Sequence, residues 1–329
     1  MSTLAPTLQC FFTERLAQQR QASQHTIAAY RDTFRLLFTF TQQKTGRAPS
    51  SLRLEDIDAP LVGAFLDHLE ADRHNSVRTR NARLAAVHSL FRFAAFRHPE
   101  HAALIQRVLA IPQTRGERDL VAFLERTEID ALLAAPDRDR WVGRRDHALL
   151  LTAVQTGLRV SEITSLTCQD VELGRGAHVR CRGKGRKERV TPLTDQTVAV
   201  LRTWLAESQG QSTDPLFPGP KGTPLTRAAV GVIVSKYAVN ASAHCPSLTH
   251  KKVSPHVLRH TCAMQLLQAG VDASIIALWL GHESAQTTQI YLHADLTIKQ
   301  RALARTAPPD TAPGRYHASD ALLAFLERL

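Results

Sequence analysis

Residues 254 to 295 constrain the fold more than any other stretch, because glycine and proline divide them into three short helices. Ser254 and Pro255 are typical of an N-cap and a first helical residue, and Gly270 is typical of a helix end. The apolar run IIALWL, which ends at Gly281, predicts a second helix. A third helix is expected to follow after a turn. The stretch is therefore predicted to be a compact, all-helical segment with sharp turns.

The three predicted helices carry basic and imidazole side chains that lead to one tyrosine. His256 and Arg259 are three residues apart on the first helix, so both project from one face. His282 follows the second helix, and Tyr291 lies on the third. A single histidine is more often a surface or hydrogen-bonded core residue. The combination, however, indicates a site.

Three segments resemble motifs of the tyrosine recombinases of the phage-integrase family. HVLRH, then LGH, then a tyrosine nine residues on resemble that family's C-terminal half. TGLRVSEITSL (156 to 166) resembles its first arginine motif, and CRGKGRKERVTPL (181 to 193) resembles the hairpin that bears its lysine. The resemblance implies a catalytic set of Arg159, Lys184, His256, Arg259, His282 and Tyr291, supported by Glu162. Near the hairpin tip, Arg182, Arg186 and Lys187 are rival candidates for the role of the lysine.

Apolar periodicity predicts two domains of different character. Apolar residues recur at three- and four-residue steps through much of residues 9 to 110, which indicates helices, whereas 177 to 193 alternate as a hairpin. With the resemblance, the expected fold is mainly α with a small antiparallel sheet: an N-terminal helical, SAM-like core-binding domain and an α+β tyrosine-recombinase catalytic domain. The expected divisions are a core-binding domain at 1–110, a linker at 111–122, a catalytic domain at 123–307, and a C-terminal tail with a short helix at 308–329.

The charge of the chain indicates an acidic partner, most commonly nucleic acid. The formal net charge is +11, with 16 Lys and Arg against 11 Asp and Glu in residues 1 to 120 and 25 against 19 in the remainder. Six arginines and no acidic residue lie between Arg73 and Arg97, which suits a helix face along phosphates, although a solvated face is the alternative. The candidate DNA-binding residues are Arg78, Arg80, Arg83, Arg182, Arg186 and Lys187.

Several other classes of protein are disfavoured. Five cysteines without a C-x-x-C pair favour reduced thiols, and no apolar run approaches the length of a membrane span, so a cytoplasmic location is expected. Zinc is the main cofactor alternative. However, the sequence has no H-E-x-x-H motif, and a divalent ion would compete with the arginines for a phosphate, so neither metal nor cofactor is expected. The candidate zinc ligands are His244, Cys245, His250, His256, His260 and Cys262.

The implied chemistry explains the choice of residue types. A phosphodiester attacked by Tyr291 passes through a pentacoordinate state, and Arg159 and Arg259 can donate planar forks of hydrogen bonds to its oxygens. The two catalytic histidines can add hydrogen bonds, and one can take the tyrosine proton, while Lys184 can protonate the departing 5′ oxygen. The product is a 3′-phosphotyrosyl link.

The expected function is site-specific recombination of double-stranded DNA, serving integration, excision, transposition or dimer resolution, as for a mobile element. The resemblance also implies a cyclic homotetramer on paired sites, in which the C-terminal tail docks into a neighbouring protomer. A related recombinase or accessory proteins can take part. Two alternatives stay open, a type IB topoisomerase-like enzyme and a catalytically silent DNA-binding regulator.

Overall fold

The structure is a computed structural model that describes residues 3–116, 121–183, 188–281 and Tyr291. Internal contacts divide the chain into two compact units, Met1–Asp119 and Leu120–Leu329. Within the described residues, no helix is both long and apolar enough to cross a membrane. All five cysteines are free thiols, as the sequence predicts.

The first unit is helical, and its capping residues set where the helices begin. Side chains of Ser23, Asp58 and Ser76 accept hydrogen bonds from backbone N–H groups three residues later, as their positions in the sequence predict. The helices are α1 (Leu4–Cys10), which continues as a π-helix (Phe11–Gln19), α2 (Gln24–Thr45), α3 (Ala59–Ala71), α4 (Val77–Ala94) and α5 (Ala102–Leu109).

One apolar core joins these helices. The apolar periodicity of this region is confirmed in α4, where Leu84, Val87, Phe91 and Ala94, three or four residues apart, are all buried. They pack in one cluster with aromatic side chains from α2 and α3 and from the π-helix. The helix that the apolar pattern predicts most strongly, α2, ends at Gly46, where a positive φ of 71° suits a residue without a Cβ atom.

The second unit combines seven helices with a three-stranded antiparallel sheet in the order β1-β2-β3, among the residues described. In β2, Val179 and Cys181 are buried while Arg180 and Arg182 are exposed, so the predicted alternation and hairpin are confirmed. The elements are α6 (Arg126–Ala134), α7 (Trp141–Thr156), α8 (Val160–Ser165), β1 (Val171–Glu172), β2 (His178–Arg182), β3 (Glu188–Pro192), α9 (Asp195–Ser208), α10 (Arg227–Ser242), α11 (Pro255–Gln268) and α12 (Ala273–Leu280).

The C-terminal end of α7 is the place where three helices of this unit meet. The last carbonyl groups of a helix have no partner within it and need donors from elsewhere. Here Cys262 of α11 donates to the Gln155 carbonyl, and the indole N–H of Trp279 on α12 donates to the Thr156 carbonyl at 3.1 Å. The end of α7 is thereby tied to both α11 and α12.

Gly157 ends α7 and is needed there for two reasons. Its φ is +62°, and a Cβ atom would lie 2.6 Å from a methyl carbon of Leu280 and 3.1 Å from Cys262. Gly270, which follows α11, also has a positive φ of 85°, but a Cβ atom there would meet nothing within 4 Å. Both positions therefore require a positive φ, but only at Gly157 would a side chain also collide with neighbouring residues.

Gly157→Ala should destabilise the second unit by about 3 kcal/mol or more, because overpacking adds to the cost of a left-handed alanine. Gly270→Ala is the matched control and should cost only about 1–2 kcal/mol. Trp141, Trp204 and Trp279 all lie in this unit, so tryptophan fluorescence during urea unfolding reports on it alone. Equal losses for the two variants would contradict the packing argument.

Candidate active site

Arg159 stands at the start of α8, where the turn at Gly157 places it. Its side chain is about one third exposed, at 34%. Its Nη1 donates to Glu162 Oε1 at 3.0 Å, and its Nη2 donates to the Gly281 carbonyl at 2.9 Å. The guanidinium is thus held from two sides, by a carboxylate on its own helix and by the backbone that ends α12.

Arg259 is buried on α11 and bridges the ends of two other helices. Its Nη1 donates to the Gly157 carbonyl and its Nη2 to the Leu280 carbonyl, each at 2.7 Å. Burial, with the positive charge of Arg159 as a further cause, lowers the pKa of Arg259 to about 10. The group still carries its charge at neutral pH. Each Nη group has two N–H bonds, so one carbonyl uses half of its capacity to donate.

The positive charge of Arg159 lies close enough to Arg259 to disfavour the charged form of Arg259, so an anion bound between them would be stabilised. Helix C-termini carry partial negative charge, and the carbonyls at the ends of α7 and α12 offset part of the repulsion. A phosphate would offset the rest with charge-assisted hydrogen bonds. The structure therefore brings together the two arginines that the sequence pairs.

Tyr291 is buried beside these arginines. It is only 2% exposed and packs in a cluster with residues of α11 and α12, including Cys262 and Leu280. Burial raises the pKa of Tyr291 to about 12, although the charges of Arg259 and Arg159 act in the opposite direction. The phenol consequently keeps its proton at neutral pH.

The histidine beside the phenol is one that the sequence named only as a candidate zinc ligand and did not assign to catalysis. His260 Nδ1 lies 2.9 Å from the Tyr291 hydroxyl oxygen, with the rings in an edge-to-face arrangement. His256 is exposed, one turn earlier on α11, and its ring centroid lies 4.2 Å from that of His260. The only signal for His260 was its position directly after Arg259.

Glu162 connects Arg159 to an arginine that the sequence analysis missed. The carboxylate is 3% exposed and accepts hydrogen bonds from Arg189 Nη1 and Nη2 of β3 at 2.7 and 2.6 Å. It also accepts from the backbone N–H of Arg159 at 2.7 Å. Burial alone would raise the pKa of Glu162, but the hydrogen bonds from Arg189 and Arg159 outweigh it and lower the pKa. The expected support of Arg159 by Glu162 is present, and Arg189 holds Glu162 in turn.

Four of the predicted site residues lie outside the described residues: Lys184, Arg186, Lys187 and His282. Of the hairpin residues that are described, Arg182 is exposed and forms an ion pair with Glu188 at 2.9 Å. Such an exposed pair is weak, so Arg182 can exchange Glu188 for a phosphate at little cost.

The arginines of α4 differ from one another in a way that the sequence did not predict. Arg78 is exposed. Arg80 is 9% exposed and pairs with Glu70 of α3 at 3.5 Å. Arg83 is half-buried, and its Nε and Nη1 atoms are buried without a hydrogen-bond partner. Arg80 and Arg97 thus have carboxylate partners on other helices, Glu70 and Glu14, which the sequence of this segment alone does not reveal.

The zinc alternative gains nothing from the structure. Within residues 3–116, 121–183, 188–281 and Tyr291, no group of three His, Cys, Asp or Glu side chains is placed to hold a metal ion.

Comparison with known proteins identifies the family of this chain. Residues 122–297 match the profile of the phage integrase family, and residues 11–98 match that of its N-terminal SAM-like domain. The Sinorhizobium fredii protein y4rC, described as an integrase/recombinase, is 58% identical over 328 residues, covering 100% of this chain and 99% of that protein. The tyrosine recombinase XerC of Pelobacter propionicus is 32% identical, covering 92% of this chain and 95% of that protein.

A solved structure shares the fold. The XerH site-specific recombinase, in a post-cleavage complex with its palindromic difH substrate, matches with a TM-score of 0.70 and 24% identity, covering 87% of this chain and 81% of that one. The chain therefore belongs to the phage integrase family and is a tyrosine-type, site-specific DNA recombinase. The predicted fold class, a SAM-like helical domain followed by an α+β catalytic domain, is confirmed.

Arg189→Met should destabilise the second unit by about 3 kcal/mol or more, because it leaves Glu162 buried with one partner fewer. Arg144→Met is the matched control. Arg144 pairs with Glu207 through hydrogen bonds from 2.7 Å, but both side chains are about one third exposed, so the loss of this pair should cost much less free energy than the loss of the buried pair. Urea unfolding followed by tryptophan fluorescence measures both. An equally small loss of unfolding free energy for both variants would show that the buried pair of Arg189 and Glu162 stabilises the unit no more than an exposed pair does.

Proposed function

We propose that this recombinase cleaves and rejoins DNA by transesterification, with Tyr291 as nucleophile and a 3′-phosphotyrosyl intermediate. The observation that carries the proposal is the convergence of three groups from distant parts of the sequence. Arg159, Arg259 and Tyr291 meet at the backbone that ends α12, where two carbonyls hold the arginines. A phenol beside two guanidinium groups suits attack on a phosphodiester.

The arginines would stabilise the charge that develops on the nonbridging oxygens. Donors that are already fixed in place lose little free energy in reorganisation, and loss of one such donor typically costs about 10²–10³ in rate. Arg259 is fixed by two carbonyls and Arg159 by a carbonyl and Glu162. Binding of the phosphate would also lower the free energy of bringing two positive charges together.

The remaining catalytic residues are assigned from the family resemblance. We propose that Lys184 protonates the leaving 5′ oxygen and that His256 and His282 donate hydrogen bonds to the phosphate. His256 is exposed on the first turn of α11, which suits contact with a bound duplex. No ATP, metal or other cofactor enters the proposed reaction, because the free energy of the broken bond is kept in the phosphotyrosyl link.

We further propose the domain limits 1–110, 111–122, 123–307 and 308–329, and a homotetramer on two duplexes in the cytoplasm. The two basic units support contact with the same DNA. Integration, excision, transposition of a mobile element and dimer resolution all use this chemistry on paired sites. The number of protomers in a complex with paired sites, measured by light scattering, tests the assembly, and a complex of two protomers on one duplex would contradict it.

Tyr291→Phe should abolish covalent attachment to DNA while leaving binding intact, because only the nucleophilic oxygen is lost. The measurement is denaturing capture of the protein from cells that carry its native locus, followed by sequencing of the DNA that stays attached. Recovery with the wild type and not with the variant supports the assignment and identifies the target site. Equal background for both, with native capture still enriching a site, would favour the silent-regulator alternative.

Exchange of DNA partners separates recombination from relaxation of supercoils. A topoisomerase-like enzyme would change the linking number of a plasmid that carries one target site. A recombinase should produce exchanged products from two labelled duplexes. Labelled duplexes that never exchange strands, under conditions where covalent complexes form, would favour the hypothesis of a topoisomerase-like enzyme.

Arg78→Ala and Arg83→Ala should each make DNA binding less dependent on salt, by about one unit in the slope of log affinity against log salt. Arg80→Ala is the internal control, because the Arg80 side chain is occupied by Glu70. It should change the slope little and the free energy of unfolding more. Fluorescence anisotropy at several salt concentrations measures the slope, and an unchanged slope for Arg83→Ala would remove that residue from the DNA interface.

A further inference from the structure

The buried phenol of Tyr291 needs a group that can accept its proton. Neutral tyrosine is a poor nucleophile, and its pKa here lies at about 12. The adjacent arginines cannot accept a proton, because guanidinium groups only donate hydrogen bonds. An acceptor must therefore lie within hydrogen-bond reach of the hydroxyl.

We propose that His260 is the general base of the cleavage step, which the family motif does not assign. The inference rests on the proposed function and specifies how its nucleophile is activated. His260 Nδ1 lies 2.9 Å from the Tyr291 hydroxyl oxygen, within the range of 2.6–3.2 Å expected for a general base. An imidazole ring in its neutral form has one nitrogen that can accept a proton.

The position of His260 on α11 separates it from His256, the histidine of the arginine motif. His260 is half-buried beside the phenol, whereas His256 is exposed. Their ring centroids are 4.2 Å apart, so the two imidazoles are in contact. Two histidines at i and i+4 can then divide two tasks, with His260 accepting the phenolic proton and His256 contacting the phosphate.

The proposed step balances. The Tyr291 oxygen forms a bond to phosphorus, its proton passes to His260 Nδ1, and the bond from phosphorus to the 5′ oxygen breaks. The 5′ oxygen takes a proton from Lys184. In rejoining, the 5′ hydroxyl attacks phosphorus and gives its proton back to the neutral Lys184 amine, the bond from phosphorus to the Tyr291 oxygen breaks, and the His260 imidazolium returns a proton to that oxygen. Water and metal ions take no part in either direction.

A single-turnover cleavage assay tests the base. The substrate is a duplex that carries the target site recovered by covalent capture, with a nick that lets the 5′ product diffuse away. The key variant is His260→Asn, whose side-chain oxygen can stand near the position of Nδ1 but cannot accept a proton at neutral pH. His250→Asn is the matched control, because it makes the same substitution at an exposed histidine in the turn before α11.

We expect His260→Asn to cleave about 10²-fold more slowly or worse, as removal of a general base predicts, with DNA affinity and the unfolding curve unchanged. His250→Asn should cleave at the wild-type rate. Cleavage by His260→Asn at the wild-type rate would overturn the inference.

A sulfur-substituted substrate distinguishes the base from the acid. A 5′-bridging phosphorothiolate provides a leaving group that needs no proton, so Lys184→Ala should recover most of its activity on it. His260→Asn should stay slow, because the defect lies in the nucleophile. Recovery of His260→Asn to the same degree as Lys184→Ala would assign His260 to the leaving group and contradict the inference.

A second approach covers the case in which His260→Asn is unstable or binds DNA poorly. A fluorinated tyrosine of lower pKa can instead be introduced at position 291, once in an otherwise wild-type chain and once together with His260→Gln. If His260 removes the proton, fluorination should reduce the rate defect of His260→Gln by a large factor, whereas an equal defect with both tyrosines would oppose the inference.

The outcomes also separate this inference from the proposed function. Covalent DNA on Tyr291→Phe would contradict the assignment of Tyr291 as the nucleophile and, with it, both proposals. Covalent DNA on the wild type but not on Tyr291→Phe, together with full cleavage activity in His260→Asn, would leave the proposed function intact. Only the assignment of His260 as the base would then be wrong.

Discussion

The catalytic unit depends on how the carbonyl groups at the end of α7 are satisfied. Buried carbonyls without donors are costly, and three consecutive residues at this end receive donors from α11 and α12. One of those donors is the guanidinium of Arg259. The same hydrogen bonds therefore stabilise the fold and aim the charged group that the proposed chemistry needs. Stability and function are difficult to separate at this point in the structure.

Local signals in the sequence predicted most of the helical framework. The N-cap at Ser254 and the helix-ending glycines at 270 and 281 are short-range features, and the structure has them where the pattern predicts. Features of the same kind begin helices after Ser23, Asp58 and Ser76 and end them at Gly46 and Gly157. The buried stripe of α4 also follows from spacing alone. Such features depend on residues within one or two turns of each other, so a single sequence suffices to find them.

The site was predicted less completely, because its missing parts depend on contacts between distant segments. Arg189 and Glu162 are 27 residues apart, and Tyr291 and His260 are 31 apart. Alternation along β3 predicts that Arg189 lies on one face of the hairpin, but it does not show which carboxylate Arg189 meets. The same limit explains Arg80, whose partner Glu70 belongs to another helix. Charge patterns within one segment say little about pairing across segments.

The ion pair between Arg189 and Glu162 also sets a limit on the reach of the hairpin. Lys184 is five residues before Arg189, and five fully extended residues span at most about 18 Å. Arg189 is held by a buried carboxylate that also contacts Arg159. For Lys184 as the proposed proton donor, the length of the chain alone keeps its Cα atom within that distance of the Cα atom of Arg189. An amine tethered in this way has a higher effective concentration at the leaving oxygen than a free amine in dilute solution.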